Sequence, residues 1–172
     1  MSSFPEKARA TRRPYHDKYL AMYSSIYDGI VTDPVLMVVP IDDHMVHRGD
    51  GVFESFKCTD GSIYNLEAHL ERLECSCAQL GIALPESLAE IADIVVQTIQ
   101  AGKEHNALVR LLVSRGQGTM GINPYACFGS ELYIVVYELP QANIDELPEG
   151  VSMAVSKVPI KPGIFATVKT CN

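Results

Sequence analysis

The sequence has no run of about 18 apolar residues, so no stretch reads as a membrane span. Residues 1–18, MSSFPEKARATRRPYHDK, lack the apolar core of a secretory signal. They are basic and polar. They read as a frayed tail, or as the remnant of an organelle transit peptide interrupted by Glu6 and Asp17. A basic stripe is missing too. The formal net charge is −7, which argues against nucleic acid as the partner. One local arginine would still suffice for the phosphate of a small ligand. There is no GxxxxGK phosphate loop, no internal repeat and no low-complexity tract. Ser114 has no recognisable nucleophile pairing with His44 or His105. The cysteines number five, an odd count at irregular spacing. Cys75 and Cys77 point to different faces of a helix, which makes a poor zinc pair and a poor disulfide. Reduced thiols in the cytoplasm, or in a plastid or mitochondrion, are expected.

Nearly half of the residues are apolar, enough for a packed core. YLAMYSSIYDG (19–29) reads as a strand ending in an Asp-Gly turn, and PVLMVVP (34–40) as a second strand. GVFESFKC (51–58) sets Val52, Glu54 and Phe56 against Phe53, Ser55 and Lys57. A Thr-Asp-Gly turn and a short strand, SIYNL, follow, and the whole reads as an antiparallel meander. Asn65 is placed to cap a helix whose stripe is Leu66, Leu70, Leu73, Cys77 and Leu80, closed by Gly81. Ser87 and Glu90 have capping-box spacing, ahead of a stripe of Leu88, Ile91, Ile94, Val95 and Ile99. ALVRLLVSRG (107–116) and ELYIVVYEL (131–139) are strands flanking a glycine-rich loop. Residues 140–150 read as a linker, and VSMAVSKVP (151–159) as a new strand. The plan is an α+β domain over 19–139, then the opening of a second unit over 151–172.

Several residues could carry chemistry. Lys169 ends an apolar run, where lost solvation would favour a nucleophilic amine. Arg72 shares a helix face with His69 and could present its fork to phosphate, or pair with Glu71 or Glu74 on a solvated face. The two glycines of HRGDGVFES imply close backbone approach. Arg110, mid-strand among leucines and valines, is expected to be buried and to meet a carboxylate, from the protein or from a substrate. The loop RGQGTMGINP could wrap a ligand.

Together these segments resemble the class IV, or fold type IV, pyridoxal-phosphate aminotransferases. That family includes branched-chain and D-amino-acid aminotransferases and aminodeoxychorismate lyases. GDGVFES, HLERLECS, VRLLVSRGQGTMGINP and KTCN match its segments in order. The resemblance implies an α+β fold: a complete small N-terminal domain and the first strand of a large domain cut short after Lys169. It implies Lys169 as the Schiff-base lysine and Arg72 as the grip on the phosphate of pyridoxal 5'-phosphate. Phe53, Arg110, Met120 and Gly121 would line the substrate pocket, in the branched-chain manner. The implied reaction is transamination between an amino acid, branched-chain or D-, and a 2-oxo acid. The alternatives are a lyase on the same scaffold, or a non-catalytic truncated domain. A homodimer is the implied assembly, with no nucleic acid, membrane or metal.

Overall fold

Alternating apolar residues build the centre of the molecule. In the computed structural model, residues 3–140, 150–158 and 163–172 are described. β5 (Ala107–Ser114) and β6 (Glu131–Glu138) pair antiparallel, with Val109 opposite Val136 and Leu111 opposite Ile134. β3 (Gly51–Thr59) takes the other edge of β5, with Val52 opposite Val113. β1 (Tyr19–Ser24) lies along β6, and the short β2 (Gly29–Val31) and β4 (Ser62–Ile63) finish the two edges. The order is β2-β1-β6-β5-β3-β4, with every pairing antiparallel.

One face of this sheet is buried under α3 (Leu66–Leu80) and α4 (Leu88–Gly102). α3 packs on β3, and α4 on β1 and β6. Leu70, Leu73 and Cys77 from α3 and Ile91, Val95 and Ile99 from α4 join the strand residues in one core. The spacing of three and four that revealed these helices is the spacing that aims one stripe at the sheet. The α4 capping box is present: Glu90 N–H donates to Ser87 Oγ, and Ser87 N–H donates to the Glu90 carboxylate at 3.0 Å. Gly81 closes α3 in the left-handed region. Cys75 is exposed, whereas Cys77 is buried and its thiol is pushed up to about 12 by burial, with Glu74 adding to the shift.

Some expected elements differ. The first strands do not form a meander, because β6 and β5 stand between β1 and β3. PVLMVVP is not a strand: Pro34–Leu36 forms a 3-10 turn, with the Asp33 carboxylate accepting the Val35 N–H. A local Asx bond of this kind competes with a strand ladder. Asn65 makes no side-chain cap; it sits at φ 55 and turns the chain from β4 into α3. Residues 151–158 form no strand, and Val151, Met153 and Val155 are all exposed, so neither alternate set finds a face to lie on. The linker expected over 140–150 falls mostly outside the described residues. The N-terminal segment forms α1 (Phe4–Ala10), and Arg9 pairs with Asp33 at 2.8 Å. Among the described residues no helix is long and apolar enough to cross a membrane.

Candidate active site

β3 carries a charge where its alternation calls for an apolar residue. Glu54 lies between Val52 and Phe56 on the buried face and is 0% exposed. A carboxylate there is costly unless every oxygen is met. α3 supplies two donors three residues apart, on the one face that looks at β3. Arg72 donates from Nε to Oε1 at 2.7 Å and from Nη2 to Oε2 at 2.6 Å. His69 Nδ1 lies 2.8 Å from Oε2. Burial alone would raise the Glu54 carboxyl. The Arg72 and His69 hydrogen bonds and the charge of Lys169 outweigh it and hold the group below the ordinary glutamate range. Donating to Glu54 in turn raises Arg72.

Lys169 completes the cluster from the far end of the chain. Its Nζ lies 3.5 Å from Glu54 Oε2 and 5.1 Å from the centre of the Phe53 ring. Its backbone is held by β3: Phe53 N–H donates to Lys169 O at 3.0 Å, and Cys171 N–H donates to Gly51 O at 2.9 Å. Val168 is buried in the core, and Lys169 N–H reaches Ser76 Oγ at 3.4 Å. Residues 169–171 therefore meet the open edge of β3 through a single antiparallel bridge, Thr170 opposite Val52. Of the two glycines of the GDG segment, Gly49 makes room for the chain end, and Gly51 for the neighbouring strand β5 and for Met45. A Cβ on Gly49, whose φ is +67, would stand 3.2 Å from Asn172 Cβ, and one on Gly51 would stand 2.9 Å from Val113 O.

The sequence reading is corrected at three side chains. Lys169 does not end in a purely apolar shell, because a buried carboxylate faces it. Arg72 does not pair with Glu71 or Glu74; its partner is Glu54, on another element. Arg110 is not buried, and among the described residues no carboxylate is its partner. It belongs to the strand face opposite the helices, is exposed, lies 5.5 Å from the centre of the Phe53 ring and donates to Ser55 Oγ at 3.4 Å. Phe53 is thus a common neighbour of Arg110 and Lys169. Met120 is 61% exposed and Gly121 lies beside it in the glycine-rich loop; no described contact joins either to the Glu54 cluster.

A cleft of about 640 Å³ opens next to this cluster, lined in part by His44, Arg48, Ile122, Pro124, Phe165 and Thr170. Thr170 adjoins Lys169, but neither Lys169 nor Arg72 lines the cleft. Its wall is set by α2 (His44–Arg48) and the glycine-rich loop, both anchored on Asp43. Asp43 is fully buried; Oδ1 accepts Met45 N–H at 2.8 Å, and Oδ2 accepts Ser114 Oγ at 2.8 Å and Tyr133 Oη at 2.7 Å. Arg115, at the head of the loop, grips Asp50 at 2.5 Å and donates to the Leu80 and Gly81 carbonyls at the end of α3. Sequence reasoning missed Asp43 and Arg115. It noticed the parity of Glu54 without drawing the consequence that a charge in the apolar set must have partners.

Residues 51–172 match the family of class IV amino-transferases, and the chain belongs to that family. It is 41% identical over 155 residues to the D-amino-acid transaminase, chloroplastic, of Arabidopsis thaliana, covering 90% of this chain and 41% of the relative. It is 30% identical over 122 residues to a putative branched-chain-amino-acid aminotransferase of Methanocaldococcus jannaschii, covering 71% of this chain and 42% of that protein. The chain thus spans about two fifths of the length of these curated relatives. Among solved structures, 4-amino-4-deoxychorismate lyase from Pseudomonas aeruginosa superposes with a TM-score of 0.67 at 21% identity, over 88% of this chain and 52% of that one. The branched-chain amino acid aminotransferase of Escherichia coli gives 0.63 at 22% identity, over 71% and 40%. The α+β fold expected from the resemblance is the fold observed.

Proposed function

We propose that the full-length protein is a pyridoxal-phosphate-dependent aminotransferase that moves an amino group from a D-amino acid to a 2-oxo acid. The observation that carries this reading is the meeting of Lys169 and Arg72 on one buried carboxylate, with Nζ 3.5 Å and Nη2 2.6 Å from Glu54 Oε2. The donor set fits a phosphorylated aldehyde. The Arg72 side chain is 49% exposed, and its Nη1 makes no hydrogen bond among the described residues, so it can meet a phosphate. The Lys169 side chain is 31% exposed, so its amine is accessible to a carbonyl.

When bound, pyridoxal phosphate supplies the conjugated ring that takes up the electron pair released at the amino acid's Cα. Lys169 would hold the cofactor through its amine, and that amine, once free, would accept the proton leaving Cα and deliver it to the cofactor rather than back to Cα. Arg72 would hold the phosphate end and so orient the group. Phe53 forms one wall beside the amine. The exposed guanidinium of Arg110 offers charge to a substrate carboxylate, and Met120 and Gly121 belong to the loop that would close over it. A homodimer is the assembly that goes with this reading, and the exposed Tyr125 and Phe128 of the same loop support it.

The 41% identity to a protein named as a D-amino-acid transaminase supports a D-amino acid as donor. Phe53 and the run from Met120 to Pro124 favour the branched-chain class as the second reading. Full-length protein loaded with pyridoxal phosphate is expected to transaminate D-alanine against 2-oxoglutarate. Turnover with L-leucine alone would change the donor class, and turnover with neither would overturn the aminotransferase reading. Arg72→Ala is expected to raise the Kd for pyridoxal phosphate by about 10- to 100-fold, the worth of one or two charge-assisted hydrogen bonds. At saturating cofactor its kcat should change much less. Equal cofactor affinity in an absorbance titration would remove Arg72 from the phosphate site.

A further inference from the structure

Glu54 accepts more donors than a structural ion pair needs. A carboxylate offers about four lone-pair sites. Arg72 takes two of them through Nε and Nη2, His69 takes a third, and Lys169 stands 3.5 Å from the oxygen that Nη2 and His69 share. Two of these partners, Arg72 and Lys169, are partly exposed at their side chains, while the carboxylate itself is shut off from solvent. Holding Nε and Nη2 fixes the plane of the guanidinium, and the one edge left over is Nη1. The Lys169 backbone is fixed independently by β3 and Ser76. A fixed backbone and a fixed counter-charge together leave the amine little room to wander.

We infer that Glu54 is a positioning residue, which turns Arg72 so that Nη1 faces a cofactor phosphate and keeps the Lys169 amine at a set distance from that phosphate. The inference rests on the aminotransferase reading above. Glu54 touches neither the cofactor nor the substrate. It acts through Arg72 and Lys169, and its loss should therefore matter only while they are present.

The test compares binding of pyridoxal phosphate with binding of pyridoxal, which lacks the phosphate, by absorbance titration of the full-length protein and its variants. Wild type should prefer the phosphorylated form strongly. Glu54→Gln keeps the shape and removes the charge. It is expected to cut that preference about 10- to 100-fold, since one or two charge-assisted hydrogen bonds to phosphate lose their aim. Glu54→Asp, one methylene shorter but still charged, should fall between the two. In the Arg72→Ala background, Glu54→Gln should change the preference by less than about twofold, because sites that act through one another are not additive. A variant that keeps the wild-type preference overturns the inference, as does a full effect of Glu54→Gln in the absence of Arg72. Should Glu54→Gln not fold, Glu54→Asp carries the same test, and a wild-type preference there overturns it. Failure of the underlying reading looks different: wild type itself would show no preference for the phosphorylated form.

Discussion

Lys169→Ala in the full-length protein is expected to lower turnover by about 10⁴-fold or more. A positioned general base alone contributes roughly 10²–10⁴, and on the proposed reading the same amine also holds the cofactor. The fold should survive. The side chain of Lys169 is 31% exposed, and the Phe53 and Cys171 bonds of its segment run through the backbone, which alanine retains. Glu54 would keep Arg72 and His69 as partners. Steady-state kinetics and a melting curve, measured side by side, check this. Loss of activity with an unchanged Tm is the expected pair of results, and activity within tenfold of wild type would remove Lys169 from the chemistry.

Asp43→Ala is expected to produce the largest loss of stability. Two hydroxyls, from Ser114 and the fully buried Tyr133, donate to Asp43 Oδ2, and Oδ1 accepts the Met45 N–H at the start of α2. Burial pushes the Tyr133 hydroxyl far up, and the Asp43 hydrogen bond and charge push it further, so it stays a donor. Alanine would orphan both hydroxyls at about 1–3 kcal/mol each and remove a cap worth about 1 kcal/mol. Together these losses come to roughly 3–7 kcal/mol in urea unfolding. Asp43→Asn keeps an acceptor and should cost much less. A loss below about 1 kcal/mol in the alanine variant would mean that water replaces the carboxylate. The loss also reaches the site, because Asp43 joins α2, the end of β5 and β6 beneath the cleft.

The helices and the central strands were legible because burial on one side writes a period into the sequence. Leu70, Leu73 and Cys77, and Val109, Leu111 and Val113, are spaced as their surfaces require. The strand order was not legible. Nothing local in β1 or β3 says that β6 and β5 come between them, since pairing across long separations depends on contacts that the sequence does not display. PVLMVVP misled because apolar composition outweighed two prolines and an aspartate able to cap its own turn. In the site, Arg72 and Lys169 were found by resemblance and by residue type. The partner that unites them was visible only as parity: a glutamate in the set of Val52 and Phe56. Arg110 failed for the opposite reason. Its neighbours in sequence are apolar, but it belongs to the strand face opposite the helices, where an arginine can lie over Phe53 and remain in water.

The most direct test is chemical trapping in the full-length protein. Pyridoxal phosphate is added, the adduct is reduced with borohydride, and the protein is digested and mapped by mass spectrometry. A phosphopyridoxyl group on Lys169, which disappears in Lys169→Ala, is the expected result. Stoichiometric label on any other lysine, with Lys169 unmodified, would contradict the convergence of amine and guanidinium on Glu54 as the cofactor site.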